Sequence, residues 1–76
     1  MLTLYIGAAF DPKEVITSPD KTVREIFKEN QINLPYGAIV THNSARLGDN
    51  ELDKTLAELG VRDEDLITIN DKMTGN

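Results

Sequence analysis

Apolar and polar residues alternate at the start of the chain, with Leu2, Leu4 and Ile6 set against Thr3 and Tyr5. A period of two is the signature of a strand with one buried face. Residues 7–12, Gly-Ala-Ala-Phe-Asp-Pro, break the alternation and turn the chain, because Gly and Pro punctuate extended runs. Residues 13–17 resume it as a second strand, so the opening reads as a hairpin with a loop of moderate length. Val15 and Ile16 are adjacent and cannot both face the same side; Val15 is taken as the inward one. Residues 18–21 then end the strand.

Thr22-Val23-Arg24-Glu25 has the spacing of a capping box. In that motif a threonine hydroxyl accepts from the amide three residues on, while the glutamate there reaches back to the threonine N–H. Val23, Ile26, Phe27 and Asn30 follow at i, i+3, i+4 and i+7, one face of a helix with a polar end. Pro35 pushes Leu34 out of the helical region and Gly37 eases the turn that follows. Residues 38–42, Ala-Ile-Val-Thr-His, predict a short third strand, and residues 43–46 turn it towards Leu47. Residues 47–65 are acidic and punctuated by leucines. Within them Leu56, Leu59 and Val61 lie where a short helical turn can bury them, and Gly60 offers the left-handed position that stops it. Asp63, Glu64 and Asp65 form a polar corner before the alternating strand Leu66-Ile67-Thr68-Ile69.

One helix of useful length must cover one face of a sheet, since nothing else in the chain can bury both surfaces. The expected fold is α+β: a mixed sheet of four to five strands curled around one α-helix, the first and last strands paired. At 76 residues there is room for one domain, set at 1–70 and followed by a flexible tail at 71–76. The formal net charge of −5 argues against a nucleic-acid surface, which needs clustered Lys and Arg. It suits basic partners. No cysteine is present, which removes disulfides, thiolate metal sites and a cysteine nucleophile. The first residues carry no basic lead or long apolar run, and no segment approaches a membrane span. A cytoplasmic, monomeric protein is expected.

These elements in this order resemble the β-grasp fold of ubiquitin and ubiquitin-like proteins. Thr55-Leu56-x-x-Leu59-Gly60-Val61 is similar to the Thr-Leu-Ser-Asp-Tyr-Asn-Ile segment of ubiquitin, and Ile67-Thr68-Ile69 matches the alternating strand after it. Ser18-Pro19-Asp20-Lys21-Thr22-Val23 likewise resembles the approach to ubiquitin's helix. Leu59 stands where ubiquitin has tyrosine, so a hydrogen bond from that phenol is absent. Conjugating members of the family close with Gly-Gly, whereas this chain closes with Thr74-Gly75-Asn76. The glycine pair is missing, yet removal of Asn76 would leave Gly75 as the terminus. The resemblance implies a processing peptidase and an activating enzyme as partners, with Gly75 and Asn76 as the conjugation and processing site.

A second candidate site is the sheet face opposite the helix. Thr3, Tyr5, Thr68 and Asn70 share that face, joined by Ile39 and Thr41 if Val40 points inward. Phe10, in the first loop, either lies beside them or folds back onto the core rim. The resemblance implies a partner-binding patch there, smaller and more polar than ubiquitin's. His42 is the only histidine and has no second soft ligand at metal spacing, so a structural role is expected. Asp49, Glu51 and Asp53, and then Asp63, Glu64 and Asp65, look like ligand runs. The first lacks the glycine and terminal glutamate placement of a calcium loop, and a solvated acidic surface is expected. Ser44 has no base placed by any motif. No enzyme activity, metal or cofactor is expected. The functional expectation is a ubiquitin-like protein acting by protein recognition, with conjugation through Gly75 after loss of Asn76. The alternatives are a non-conjugated adaptor, a small acidic inhibitor or antitoxin masking a basic protein surface, and a sulfur carrier, which would also need the glycine pair.

Overall fold

The structure is a computed structural model that describes residues 1–70. The expectations for Gly75, Asn76 and a flexible tail at 71–76 lie outside the described residues. Five strands and two helices are joined in the order β1 (Leu2–Ala8), β2 (Asp11–Thr17), α1 (Val23–Glu29), β3 (Ile39–His42), β4 (Ala45–Leu47), a 3-10 turn (Asp49–Asp53), α2 (Leu56–Leu59) and β5 (Leu66–Asn70). The strands form one sheet in the order β2-β1-β5-β3-β4. β1 and β5 run parallel, with Tyr5 opposite Leu66 and Ile6 opposite Ile67, and the other three pairings are antiparallel. This mixed sheet, folded over one main helix, is the β-grasp arrangement that the resemblance implies.

Alternation decides which residues become core. Leu4, Ile6, Val15, Val40, Leu47 and Ile67 from the strands meet Val23, Ile26 and Phe27 from α1. Leu52, Leu56 and Val61 close the far side. Val15 is buried and its neighbour Ile16 is 64% exposed, which settles the register of β2.

The opening hairpin is tighter than its sequence suggests. β1 runs on through Gly7 and Ala8, and β2 begins at Asp11, leaving only Ala9 and Phe10 as the turn. Small residues weaken a strand on propensity alone, but cross-strand pairing overrides that preference. Pro12 is tolerated inside β2 because β2 is an edge strand, where a missing N–H need not cost a ladder bond. Residues 43–46 also differ from expectation. Asn43 and Ser44 both take positive φ, 52° and 73°, the geometry of a two-residue hairpin turn matched to strand twist. Ala45–Leu47 then forms β4, so the sheet has five strands.

Two capping boxes set the helix starts. Thr22 Oγ1 accepts from the Glu25 N–H at 3.0 Å while Glu25 accepts from the Thr22 N–H at 2.9 Å. Thr55 and Glu58 repeat the motif at 3.1 and 2.8 Å. The two caps lie back to back: Thr22 and Thr55 form an isolated antiparallel bridge, and the Leu56 N–H donates to Lys21 O at 2.9 Å. Asn30 caps the other end of α1, its Nδ2 donating to Ile26 O at 2.9 Å. Gly60 ends α2 with φ 75°. Its N–H donates to Ala57 O and the Val61 N–H to Leu56 O, the paired bonds of a Schellman motif.

Candidate functional site

With the helices covering one face of the sheet, the residues between the buried positions must face the other way. On β1 these are Thr3 and Tyr5, between Leu4 and Ile6. On β5, buried Ile67 turns Leu66, Thr68 and Asn70 outward, and on β3, buried Val40 turns Ile39 and Thr41 outward. The registers then fix their neighbours. Glu14, Tyr5 and Leu66 stand in one row across β2, β1 and β5. Thr68, Thr41 and Arg46 stand in a second across β5, β3 and β4, and Asn70 is opposite Ile39. All six strand residues expected on this face, Thr3, Tyr5, Ile39, Thr41, Thr68 and Asn70, therefore share it. At its centre the Thr41 and Thr68 hydroxyls are hydrogen-bonded to one another, which links β3 and β5 through their side chains.

Phe10 is at the tip of the β1–β2 turn and is 91% exposed. It does not fold onto the core rim. Two apolar residues of this face, Leu66 and Ile16, escaped the sequence reading. Leu66 is directly opposite Tyr5 and Ile16 opposite Thr3. The signal for Ile16 was present, because an inward Val15 forces its neighbour outward. Leu66 follows in the same way from Ile67. The face thus carries Ile16, Tyr5, Leu66 and Ile39 among threonines, Asn70 and Glu14. Scattered apolar side chains in a polar surround suit a reversible protein interface better than a permanent one.

The acidic segments lie largely at the surface, as expected, with the Asp49 and Asp53 side chains 91% and 64% exposed, but several of their carboxylates also tie elements of the fold together. Arg24 Nε donates to Asp53 at 2.7 Å, and its Nη2 to Asp49 at 3.3 Å, tying α1 to the 3-10 turn. Glu51 accepts from the Gly48 N–H at 2.7 Å. Asp63 accepts from the Thr3 N–H at 2.7 Å, which anchors the corner to β1. Asp65 is largely enclosed: it accepts from His42 Nε2 at 2.7 Å and from the Arg62 N–H at 2.8 Å. Burial pushes the Asp65 carboxyl upward, but the hydrogen bonds from His42 and the Arg62 amide outweigh it and hold the pKa below the ordinary carboxylate value,. His42 consequently serves as a structural strut between β3 and the start of β5. The contacts of Arg24 with Asp53, of Thr3 with Asp63 and of His42 with Asp65 join residues 23 to 60 apart, so no local motif could reveal them.

Comparison with known proteins agrees with the geometry. No protein-family profile matches the chain, and no curated protein matches it. Among solved structures, a ubiquitin from Caldiarchaeum subterraneum superposes with a TM-score of 0.66 at 24% identity, covering 99% of this chain and 98% of that one. A ubiquitin-like protein from the same hyperthermophilic archaeon gives a TM-score of 0.56 at 25% identity, covering 97% of this chain and 100% of that one.

Proposed function

We propose that this chain, whose fold is the ubiquitin-like β-grasp, works by recognising other proteins through the outer face of its sheet. The observation that carries the reading is the make-up of that face. Ile16 is exposed and Tyr5, Leu66 and Ile39 are half-buried on the outer side of the sheet, while the opposite face supplies the core. A masking surface made of carboxylates is the weaker alternative. Arg24 offsets part of the charge of Asp49 and Asp53, and Asp65 is largely enclosed against His42, which lowers the charge free to meet a basic protein.

A second reading rests on the first: the chain is a modifier, joined to other proteins through Gly75 after Asn76 is removed. Its support is the similarity, over nearly the whole length of both chains, to a protein described as a ubiquitin. Hydrolysis of the Gly75–Asn76 amide would expose a glycine carboxylate, whose lack of a side chain lets an extended segment thread a narrow enzyme channel.

Two measurements test these readings separately. A photo-crosslinking side chain at Thr41 should capture protein partners in the native cell, whereas the same group at Lys54, on the helical side, should not. Equal yield at both positions would overturn the outer-face reading. Intact mass of the protein from that cell should show loss of the last residue and heavier adducts. Only full-length, unmodified chain under every growth condition would remove the modifier reading while leaving the first untouched. Deleting residues 73–76 should abolish adducts and preserve crosslinking.

A further inference from the structure

Charge on the outer sheet face is sparse and sits at its two margins. The register puts Pro12, Gly7, Thr68, Thr41 and Arg46 in one row across all five strands, and Glu14, Tyr5 and Leu66 in the next. Glu14 is thus on edge strand β2 and Arg46 on edge strand β4, both exposed and both turned away from the helices. Neither makes an ion pair among the described residues. Between them, the outward side chains of β1, β5 and β3 carry no charge.

Opposite charges at opposite margins make the face complementary to itself. β5 is the middle strand. Glu14 and Arg46 are separated by four strand spacings, roughly 19 Å, and by one row, about 7 Å along the strands,. A two-fold axis lying in the face, close along β5 and passing between Leu66 and Thr68, exchanges the two positions. A second copy laid on that axis crosses its strands with the first at roughly 40°, near the ~30° of aligned sheet packing. Leu66 then meets Leu66, Tyr5 lies over the smaller Thr41 of the other copy, and each Glu14 faces an Arg46. Contacts off the axis occur twice, as an isologous interface requires.

We propose that the outer face pairs with itself: two copies of this chain associate face to face, Glu14 of each meeting Arg46 of the other. The size of the face limits the strength of the pair. It measures about 24 Å across the strands and about 13 Å from the row of Tyr5 to that of Ile39, so pairing buries less than roughly 1,200 Å² in total, the range of weak and transient contacts. Two chains of net charge −5 also repel at a distance,. The chain is therefore a monomer when dilute and pairs where copies are concentrated or held side by side. The regulatory consequence rests on the outer-face reading given above: a paired face is closed to other proteins, so crowding of copies switches recognition off.

Sedimentation velocity of the purified full chain from about 10 μM to about 1 mM should show a monomer–dimer equilibrium. Amide chemical shifts over the same dilution should centre on Tyr5, Thr41, Leu66 and Thr68. Glu14→Arg and Arg46→Glu, each alone, should weaken association at least about fivefold, because like charges then meet at both margins. The double exchange, Glu14→Arg with Arg46→Glu, should restore it. So should a one-to-one mixture of the two single variants, whose margins are again opposite; a folding defect is not cured by mixing. No self-association across the range, single variants equal to the parent, a mixture no stronger than its components, or dilution shifts confined to the helical side would each overturn the proposal. The chain is tested alone, so failure here leaves capture of cellular partners through Thr41 untouched. Pairing in the absence of any such capture would keep the pair and remove the outer-face reading.

Discussion

Leu56 sits in a four-residue helix within the long connection between β4 and β5, yet none of its surface is exposed. Leu56→Ala therefore tests whether that connection belongs to the core or merely decorates it. The substitution deletes three carbons, at roughly 0.8 kcal/mol each for the lost burial, or about 2.4 kcal/mol. The space left among Val23, Ile26, Leu52 and Val61 cannot collapse freely, because capping boxes fix both helix starts, and measured Leu→Ala costs run roughly 2–5 kcal/mol. About 3–4 kcal/mol is expected. A chain of this length has roughly 4–11 kcal/mol of stability in total, so the variant should lose between about a third and nearly all of it. The chain has no tryptophan, which makes urea unfolding followed by far-ultraviolet circular dichroism the suitable assay. With a slope near 1 kcal/mol per molar for so small a domain, the midpoint should fall by about 3 M. Leu56→Met, which nearly conserves volume, should cost less than roughly 1.5 kcal/mol. A fall of under about 1 M for Leu56→Ala, with an unchanged slope, would refute the reasoning, since the connection could then loosen without opening the core.

Two further outcomes follow from local geometry. Gly60 holds φ at 75° with no atom within 4 Å of where a Cβ would lie, so Gly60→Ala should cost about 1–2 kcal/mol through backbone conformation alone, and Gly60→Asn should cost less; equal losses in urea titrations would refute this. Asp65 has a folded pKa below its unfolded value of about 3.9,. Its stabilising contribution is complete above that pH and disappears as pH falls through the folded value. Asp65→Asn should accordingly be less stable than the parent at pH 7 and lose part of the acid dependence, and parallel stability curves from pH 7 to pH 2 would contradict it.

Much of the architecture could be read from pattern. The β1 alternation, the Thr22–Glu25 cap and the Gly60 stop are each written within a few adjacent residues, so local physics sets them. β4 could not be read so easily. It is three residues long, and its only local herald is a pair of residues, Asn43 and Ser44, that tolerate a left-handed turn. The extension of β1 through Gly7 and Ala8 was hidden for the opposite reason, because pairing with β2 overrode poor strand formers. At the outer face, side-chain direction followed from alternation, but the rows across β1, β5 and β3 required knowing which strands are neighbours. The long-range partners of two carboxylates were hidden for the same reason: Asp63 meets the Thr3 N–H and Asp65 meets His42 across the fold.

Placing β1 beside β5 has a consequence for synthesis. The two strands that form the middle of the sheet are the first and the last described segments to be translated. Until β5 has left the ribosome, β1 can pair only with β2, and the hairpin keeps an unsatisfied apolar flank. Closing so long a span is slow relative to local steps, so the nascent chain is most vulnerable to proteases and mispairing in the interval before its final strand emerges.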